Sequence, residues 1–270
     1  MQLPESIPSS GPPAPEIQPL GLVPPEDPPW NLVDVGVIMV FAVLSGIFVL
    51  ALAIFGANFF RRFHHLGPID VQNALILIPG QTVAYLLLIA FMVQIIRLKG
   101  QTDFLTAIGW NMPDLRRSFL ALVGGSGLAL LANIFSALFS RWMPKSVPVD
   151  KLFRDANSAY LLAIFGVLVA PVVEELFFRG FLFPALARKI GVSASIVFTA
   201  ASFAVIHQSQ LAHAWVPLLW LFVVGTVLTV ARARTRSVAT AVFIHVGYNS
   251  TLFTLLFIAT SGFHHMERMT

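Results

Sequence analysis

Three charged side chains lie deep inside an apolar run: Glu174, Glu175 and Arg179, in the segment APVVEELFFRG. A carboxylate facing lipid costs on the order of several kcal/mol, so charges within a membrane face a bundle interior, pair there, and mark function by default. Helical phase separates the two acids. Glu175 and Arg179 stand at i and i+4 on one face with the acid nearer the N-terminus, the favourable order for an internal ion pair. Glu174 is five residues from Arg179, about 140° round the helix, and is the carboxylate left free to work. Pro171, three residues earlier, has no N–H to donate and is expected to bend the helix and leave room for water near the acids.

Two more polar stripes occur in apolar surroundings. FAVIHQ places Phe203 and His207 at i and i+4 where one run ends, and FIHVGYN places His245 and Asn249 at the same spacing inside another. Each stripe alone could do no more than tie helices together, because any polar patch in lipid needs internal partners. Three such helices satisfy their stripes most simply by turning them toward one another. The result is one buried site with a carboxylate, two imidazoles, an amide and a guanidinium, which is an inventory for acid/base chemistry. The chain has no cysteine, which excludes thiol nucleophiles, thiolate metal sites and disulfides.

At these residues the chain resembles a known family. EELFFR is similar to the Glu-Glu-x-x-x-Arg motif, FAVIH to the Phe-x-x-x-His motif and HVGYN to the His-x-x-x-Asn motif of the CAAX prenyl protease and bacteriocin-processing (CPBP, or Abi) family of intramembrane proteases. FRGFLFPAL resembles the sequence that follows the first motif, and the three motifs come in the family's order on separate apolar helices. The resemblance covers about residues 118–260. It implies an intramembrane endopeptidase in which Glu174 is general base on a water, assisted by His207, while His245 and Asn249 donate to the oxyanion of the tetrahedral intermediate. Glu175, Arg179 and Phe203 are then structural or positioning groups. The implied substrate is a peptide or membrane protein, prenylated or bacteriocin-like, and no residue selects between these.

The family has also been described as metallopeptidases, and Glu174, His207 and His245 could supply three ligands to a Zn²⁺ with a fourth position open. No HExxH helix is present, and a metal holding Glu174 would leave only Glu175, already paired with Arg179, as base. The metal-free glutamate mechanism is therefore favoured, with no cofactor expected. Two rival functions stand beside hydrolysis. Buried glutamates and histidines also build the proton relays of transporters and channels, and a non-catalytic membrane scaffold could keep the same fold.

The elements that must carry these residues follow from the composition. Of 270 residues, 57% are hydrophobic and 11% charged, against roughly 25% charged in an ordinary soluble domain. Mean hydropathy is +0.80, so the bilayer must be the main solvent. The net charge of +4 does not point to nucleic acid, because the bases occupy short polar gaps between apolar runs, as membrane-flanking bases do. The predicted class is an all-α, polytopic transmembrane bundle and an integral membrane protein. Seven spans are expected, at 32–60, 73–96, 118–142, 159–183, 192–207, 215–230 and 238–260, or eight if the long first run is broken.

Four regions follow: a disordered Pro-rich tail over residues 1–30, helices and an interfacial segment over 31–117, a catalytic core over 118–262 and a C-terminal tail over 263–270. The first region holds ten of the 18 prolines, no Lys or Arg and no secretory signal pattern. Residues 102–115 read as a short amphipathic helix in the interface or as an ordinary loop. Trp30, Trp142 and Trp215 sit near span ends, as interfacial anchors do. His64, His65, His213, His264 and His265 fall in loops or at the C-terminus and are assigned solvated roles. The distribution of bases is weakly asymmetric and places Arg188 and Arg234 toward the cytoplasm, with the active site expected on the cytoplasmic side.

Overall fold

The computed structural model describes residues 27–65, 67, 73–100, 103–153 and 155–265. Among them the chain is helical and contains no strand. Eight helices follow in order: α1 (Leu32–Phe63), α2 (Ala74–Gly100), α3 (Phe104–Ala107), α4 (Leu115–Leu138), α5 (Ala156–Ile190), α6 (Val192–Ile206), α7 (Trp215–Thr235) and α8 (Val238–Ala259). All except α3 and α6 are long and apolar enough to cross a membrane. These six helices answer to six of the seven expected spans, the seventh position is taken by the shorter apolar helix α6, and α1 is continuous rather than broken. The expected disorder of the Pro-rich tail lies, for residues 1–26, outside the described residues, as does the end of the C-terminal tail from residue 266.

Acidic residues that the spans exclude fix where helices start. Asn31 accepts from the amides of Val33 and Asp34, and Asp34 accepts from the Asn31 amide, closing a capping box at α1. Asp114 caps α4 through the Arg117 amide, and Asp155 caps α5 through the Ser158 amide and hydroxyl. Ser237 caps α8 through the Thr240 amide. Asp34 also pairs with Lys99 at 3.1 Å, joining the start of α1 to the end of α2. Much of the outer surface of α1 remains exposed, with Val43, Leu44, Ile47, Phe48 and Phe55 each more than half accessible. Such a face suits lipid.

The core helices pack where glycine allows it. α4 and α8 make the most extensive pairing in the bundle, and their backbones meet at Gly125 and Gly247. A Cβ on Gly125 would overlap the Ile244 carbonyl, and one on Gly247 would overlap the Leu122 carbonyl. Small residues at a helix crossing permit this approach, which in lipid supplies the van der Waals contact that holds helices together. Gly225 of α7 approaches the Ala200 backbone of α6 in the same way.

Two structural findings add to the sequence expectations. The residues just before α1 are docked rather than tail-like. Trp30 is fully buried, stacked on Phe181 at 4.4 Å, and its indole N–H donates to the Phe181 carbonyl at 3.0 Å. Arg188 holds the same stretch through Asp27, the Pro28 carbonyl and the Trp30 carbonyl. Trp30 is therefore a core anchor and not an interfacial one, because a carbonyl partner and a stacking ring outcompete the headgroup layer. Trp142 and Trp215 remain more than half exposed near helix ends. Second, the segment before α4 forms one helical turn, α3, followed by a tucked loop. Ile108 is fully buried against Gly180, and Asn111 and Ser237 tie the loop to the start of α8. Both expected forms are thus represented, a short helix and a loop, while Leu105 and Met112 stay exposed.

Because the spans alternate in direction, the ends bearing Arg188, Lys189, Arg234 and Arg236 share one face of the bundle. The turn Gln208–Ala214, which follows His207, lies at the opposite face. The two orientation expectations thus agree only if the site is entered from the end remote from His207.

Candidate active site

The site is built on α5, whose middle departs from α-helical geometry twice. Residues Phe165–Val169 and Leu176–Leu182 are π-helical, and Ala170–Glu175 between them is a regular turn and a half carrying both glutamates. Each π stretch ends just before a proline, Pro171 or Pro184. In a regular helix these residues would donate to Val167 and Gly180, and neither can. The helix widens instead of breaking, and π-bulges of this kind recur at functional sites. Side chains from elsewhere then bond carbonyls in the widened stretches. Asn249 Nδ2 donates to the Gly166 carbonyl at 2.6 Å, and Trp30 Nε1 to that of Phe181. The bend expected at Pro171 is thus realised as a bulge with a cross-helix tie.

Glu175 and Arg179 form the expected ion pair. Arg179 Nη1 lies 2.9 Å from Glu175 Oε1, and both side chains have no exposure. The guanidinium also donates from Nη2 to the Gly225 carbonyl at 2.9 Å and from Nε to Thr229 Oγ1 at 3.3 Å, both on α7. Phe203 covers its face at 4.8 Å. This full set of partners makes a charge tolerable at such depth. Phe203, 1% exposed, therefore locks the cation while its ring edge meets His245 at 5.8 Å.

The two imidazoles are oriented in the same sense. His207 Nδ1 lies 2.8 Å from the Phe203 carbonyl, an acceptor only, so Nδ1 carries the hydrogen and Nε2 is the open nitrogen. His245 Nδ1 lies 2.9 Å from Glu175 Oε1, and its Nε2 lies 3.9 Å from Glu174 Oε2. Glu175 thereby does more than balance Arg179, since it fixes the ring of His245 so that Nε2 faces Glu174. Glu174 stays off the Arg179 pair, with its side chain 14% exposed. It is the free carboxylate that helical phase isolates.

The three stripes do not converge equally. Glu174, Glu175, Arg179, His245 and Phe203 share one cluster. Asn249 borders it through Gly166, with its second amide hydrogen uncommitted to any described partner. His207 reaches the cluster through Phe203, at a ring separation of 4.9 Å, and makes no described hydrogen bond or ion pair with Glu174. No group of three His, Asp or Glu side chains among the described residues is placed to hold a metal ion.

Sequence reasoning passes over one neighbour. The ring of Tyr85 on α2 stacks on Phe165, at the start of the first π stretch of α5, with centroids 5.6 Å apart. Its signal is present in the sequence, because Gln81 and Tyr85 form an i, i+4 polar pair in the otherwise apolar run of α2. The Arg179 partners Thr229 and Gly225 carry no such signal. A threonine and a glycine in an apolar helix look like packing residues.

A multi-pass membrane bundle with a buried, partnered acid/base cluster defines the class of protein. Residues 156–251, from the start of α5 to the middle of α8, match the family described as type II CAAX prenyl endopeptidase Rce1-like. The similarity is of this part of the chain, and the family that it resembles is one of membrane endopeptidases. The match contains all three motifs. No curated protein and no solved structure matches the chain.

Proposed function

We propose that the chain is an intramembrane endopeptidase of CAAX-protease type that cleaves a peptide bond with water activated by Glu174. The observation that carries this reading is the Glu174 carboxylate: it sits in a membrane bundle beside His245, outside the Glu175–Arg179 pair. Glu174 takes a proton from water as the water oxygen bonds to the carbonyl carbon. His207 assists through its open Nε2. The developing oxyanion is met by the uncommitted amide hydrogen of Asn249 and, when His245 carries hydrogen on both nitrogens, by its Nε2–H. When the intermediate collapses, the C–N bond breaks and Glu174 returns the proton to the leaving nitrogen, so the products are a carboxylic acid and an amine. Glu175 and Arg179 hold the ring of His245 and the helix itself.

The substrate class proposed is a membrane-associated peptide, and the family description makes a prenylated C-terminal peptide the first to try. The full-length protein in proteoliposomes is given an internally quenched farnesylated CAAX peptide. Cleavage by the wild type and its loss, by at least about a hundredfold, in Glu174→Gln with unchanged folding is the expected result. Full cleavage by Glu174→Gln overturns the mechanism. Proton flux through the wild type, sensitive to the same substitution and without cleavage, would select the transporter reading.

A further inference from the structure

Residues 27–30 precede every motif, yet they hold the stretch of α5 that carries Arg179. The Trp30 indole N–H donates to the Phe181 carbonyl at 3.0 Å, and its ring stacks on that of Phe181 at 4.4 Å. Phe181 belongs to the second π stretch, Leu176–Leu182, and follows Arg179 by two residues. From the same helix Arg188 reaches back. Its Nη2 donates to the Trp30 carbonyl at 2.9 Å, and its Nη1 to the Pro28 carbonyl at 3.0 Å and the Asp27 carboxylate at 3.1 Å. Phe181 and Arg188 are two turns of a regular helix apart, about 10 Å along its axis and on nearly one face. Trp30 is thus bonded to α5 on both sides of Pro184, where the widened stretch gives way to regular helix. Its own place is fixed from α1. It directly precedes Asn31, whose capping box with Asp34 sets the start of that helix, and Asp34 is paired with Lys99 of α2. An apolar residue just before an N-cap staples the entering chain to the first turn. Trp30 and Val35 hold the two staple positions and lie in one apolar cluster.

We propose that Trp30 is a positioning residue for the buried acid/base cluster, with Arg188 as its clamp. The inference rests on the reading of that cluster as a peptidase site. The π-helix is the rare form of the helical ladder, so a stretch that keeps it needs contacts from outside the helix to hold it. Relaxed to regular winding, with one residue taken out of the wide turn, the helix beyond it would rotate by roughly 100° relative to Glu174 and Glu175. Arg179 lies inside this stretch, and its guanidinium must meet Glu175 Oε1 at 2.9 Å while also bonding Gly225 and Thr229 of α7. Glu175 Oε1 in turn orients the His245 ring, whose Nε2 faces Glu174. The path therefore runs from Trp30 to the Phe181 carbonyl, through the π stretch to Arg179, and by Glu175 to His245. Ile108 on Gly180 and Phe104 beside Phe181 cover the same stretch with apolar contact, whereas Trp30 adds a directed bond to one of its carbonyls.

Trp30→Phe keeps an aromatic ring against Phe181 and removes the N–H donor. In the proteoliposome assay with the farnesylated CAAX peptide, kcat is expected to fall about tenfold with KM within about twofold, since the reacting groups are misplaced while the substrate-binding surface is kept. Arg188→Met should lower kcat in the same direction and, because its side chain is partly exposed, retain the folded protein. The double variant should be no slower than the slower single variant, because both substitutions open one clamp. A readout independent of turnover is the pair of ring-nitrogen resonances that disappears in His245→Gln, followed in protein carrying isotope-labelled histidine. Both Trp30→Phe and Arg188→Met should shift it. If these two variants keep wild-type kcat and unshifted resonances while Trp30→Ala alone loses activity, Trp30 is a packing group and the proposal is overturned. Shifted resonances with wild-type kcat overturn it as well. Shifted resonances in a protein that cleaves no peptide support the clamp and count against the peptidase reading. Unmoved resonances overturn the clamp whether or not the wild type cleaves.

Discussion

The least replaceable side chain for stability is Arg179, because its charge has been taken fully out of water and each of its three nitrogens donates a hydrogen bond. Arg179→Met leaves Glu175 buried with a reduced set of partners, and breaking a buried pair from one side costs about 3–5 kcal/mol. The expected outcome is a large fall in thermal midpoint in detergent, read by tryptophan fluorescence, with much of it recovered in the double variant Glu175→Gln/Arg179→Met. No recovery would mean that Arg179 acts mainly through α7 and Phe203. At this scale the sequence was highly legible, since spacing alone paired Glu175 with Arg179 and set Glu174 apart. It was silent on His245, whose tie to Glu175 spans 70 positions. No periodicity within one helix encodes a bond between two.

Close backbone contact joins helices at their glycine crossings. Gly125 and Gly247 leave no space for a Cβ at the α4–α8 crossing, so Gly247→Val must separate the two helices or strain both. We expect loss of the monodisperse folded peak in detergent gel filtration, whereas Gly127→Val, where a Cβ would meet open space, should leave it intact. Equal behaviour of the two would refute the crossing. A milder effect belongs to the start of α5. Asp155 caps the helix, and the bonds from the Ser158 amide and hydroxyl hold its carboxyl below the usual carboxylate range. A lowered folded value means that the stabilisation is present above the unfolded pKa and is lost as pH falls through the folded one. Asp155→Asn, also a good cap, should lack that acid-side loss; because the residue is exposed, the difference should stay below about 1 kcal/mol. Thermal midpoints of the two proteins across the acidic range test this. The polar punctuation of helix starts is visible in the sequence, but the π stretches are not, since a proline announces a defect without saying whether the helix bends or widens.

For the whole molecule, seven apolar helices alternating in direction put Gln210 and Arg236 at opposite faces of the bundle. The absence of cysteine makes this simple to examine. Single variants Gln210→Cys and Arg236→Cys in sealed membranes should react with a membrane-impermeant maleimide from opposite sides. Labelling of both from the same side would show that α6, only 15 residues long, does not cross. The same experiment fixes which face holds the basic ends and therefore the side from which His207 is reached. Long apolar runs made the number of spans readable from composition and length, because a hydrocarbon core of about 30 Å demands roughly 20 apolar residues. The docking of residues 27–30 was not readable, since a proline-rich approach to a helix has the composition of a tail until a partner such as Arg188 is in place.

By itself the sequence determined the all-helical membrane class, the seven apolar helices, the buried ion pair and the carboxylate outside it. Each follows from a local rule: hydropathy over one span, or phase along one helix. Only the tertiary structure decided that Glu175 orients His245 and that Asn249 and Trp30 bond carbonyls in the π stretches of α5. These are contacts between segments far apart in the chain. They depend on how the helices cross, and the crossings are set by small residues whose meaning appears only when two backbones meet.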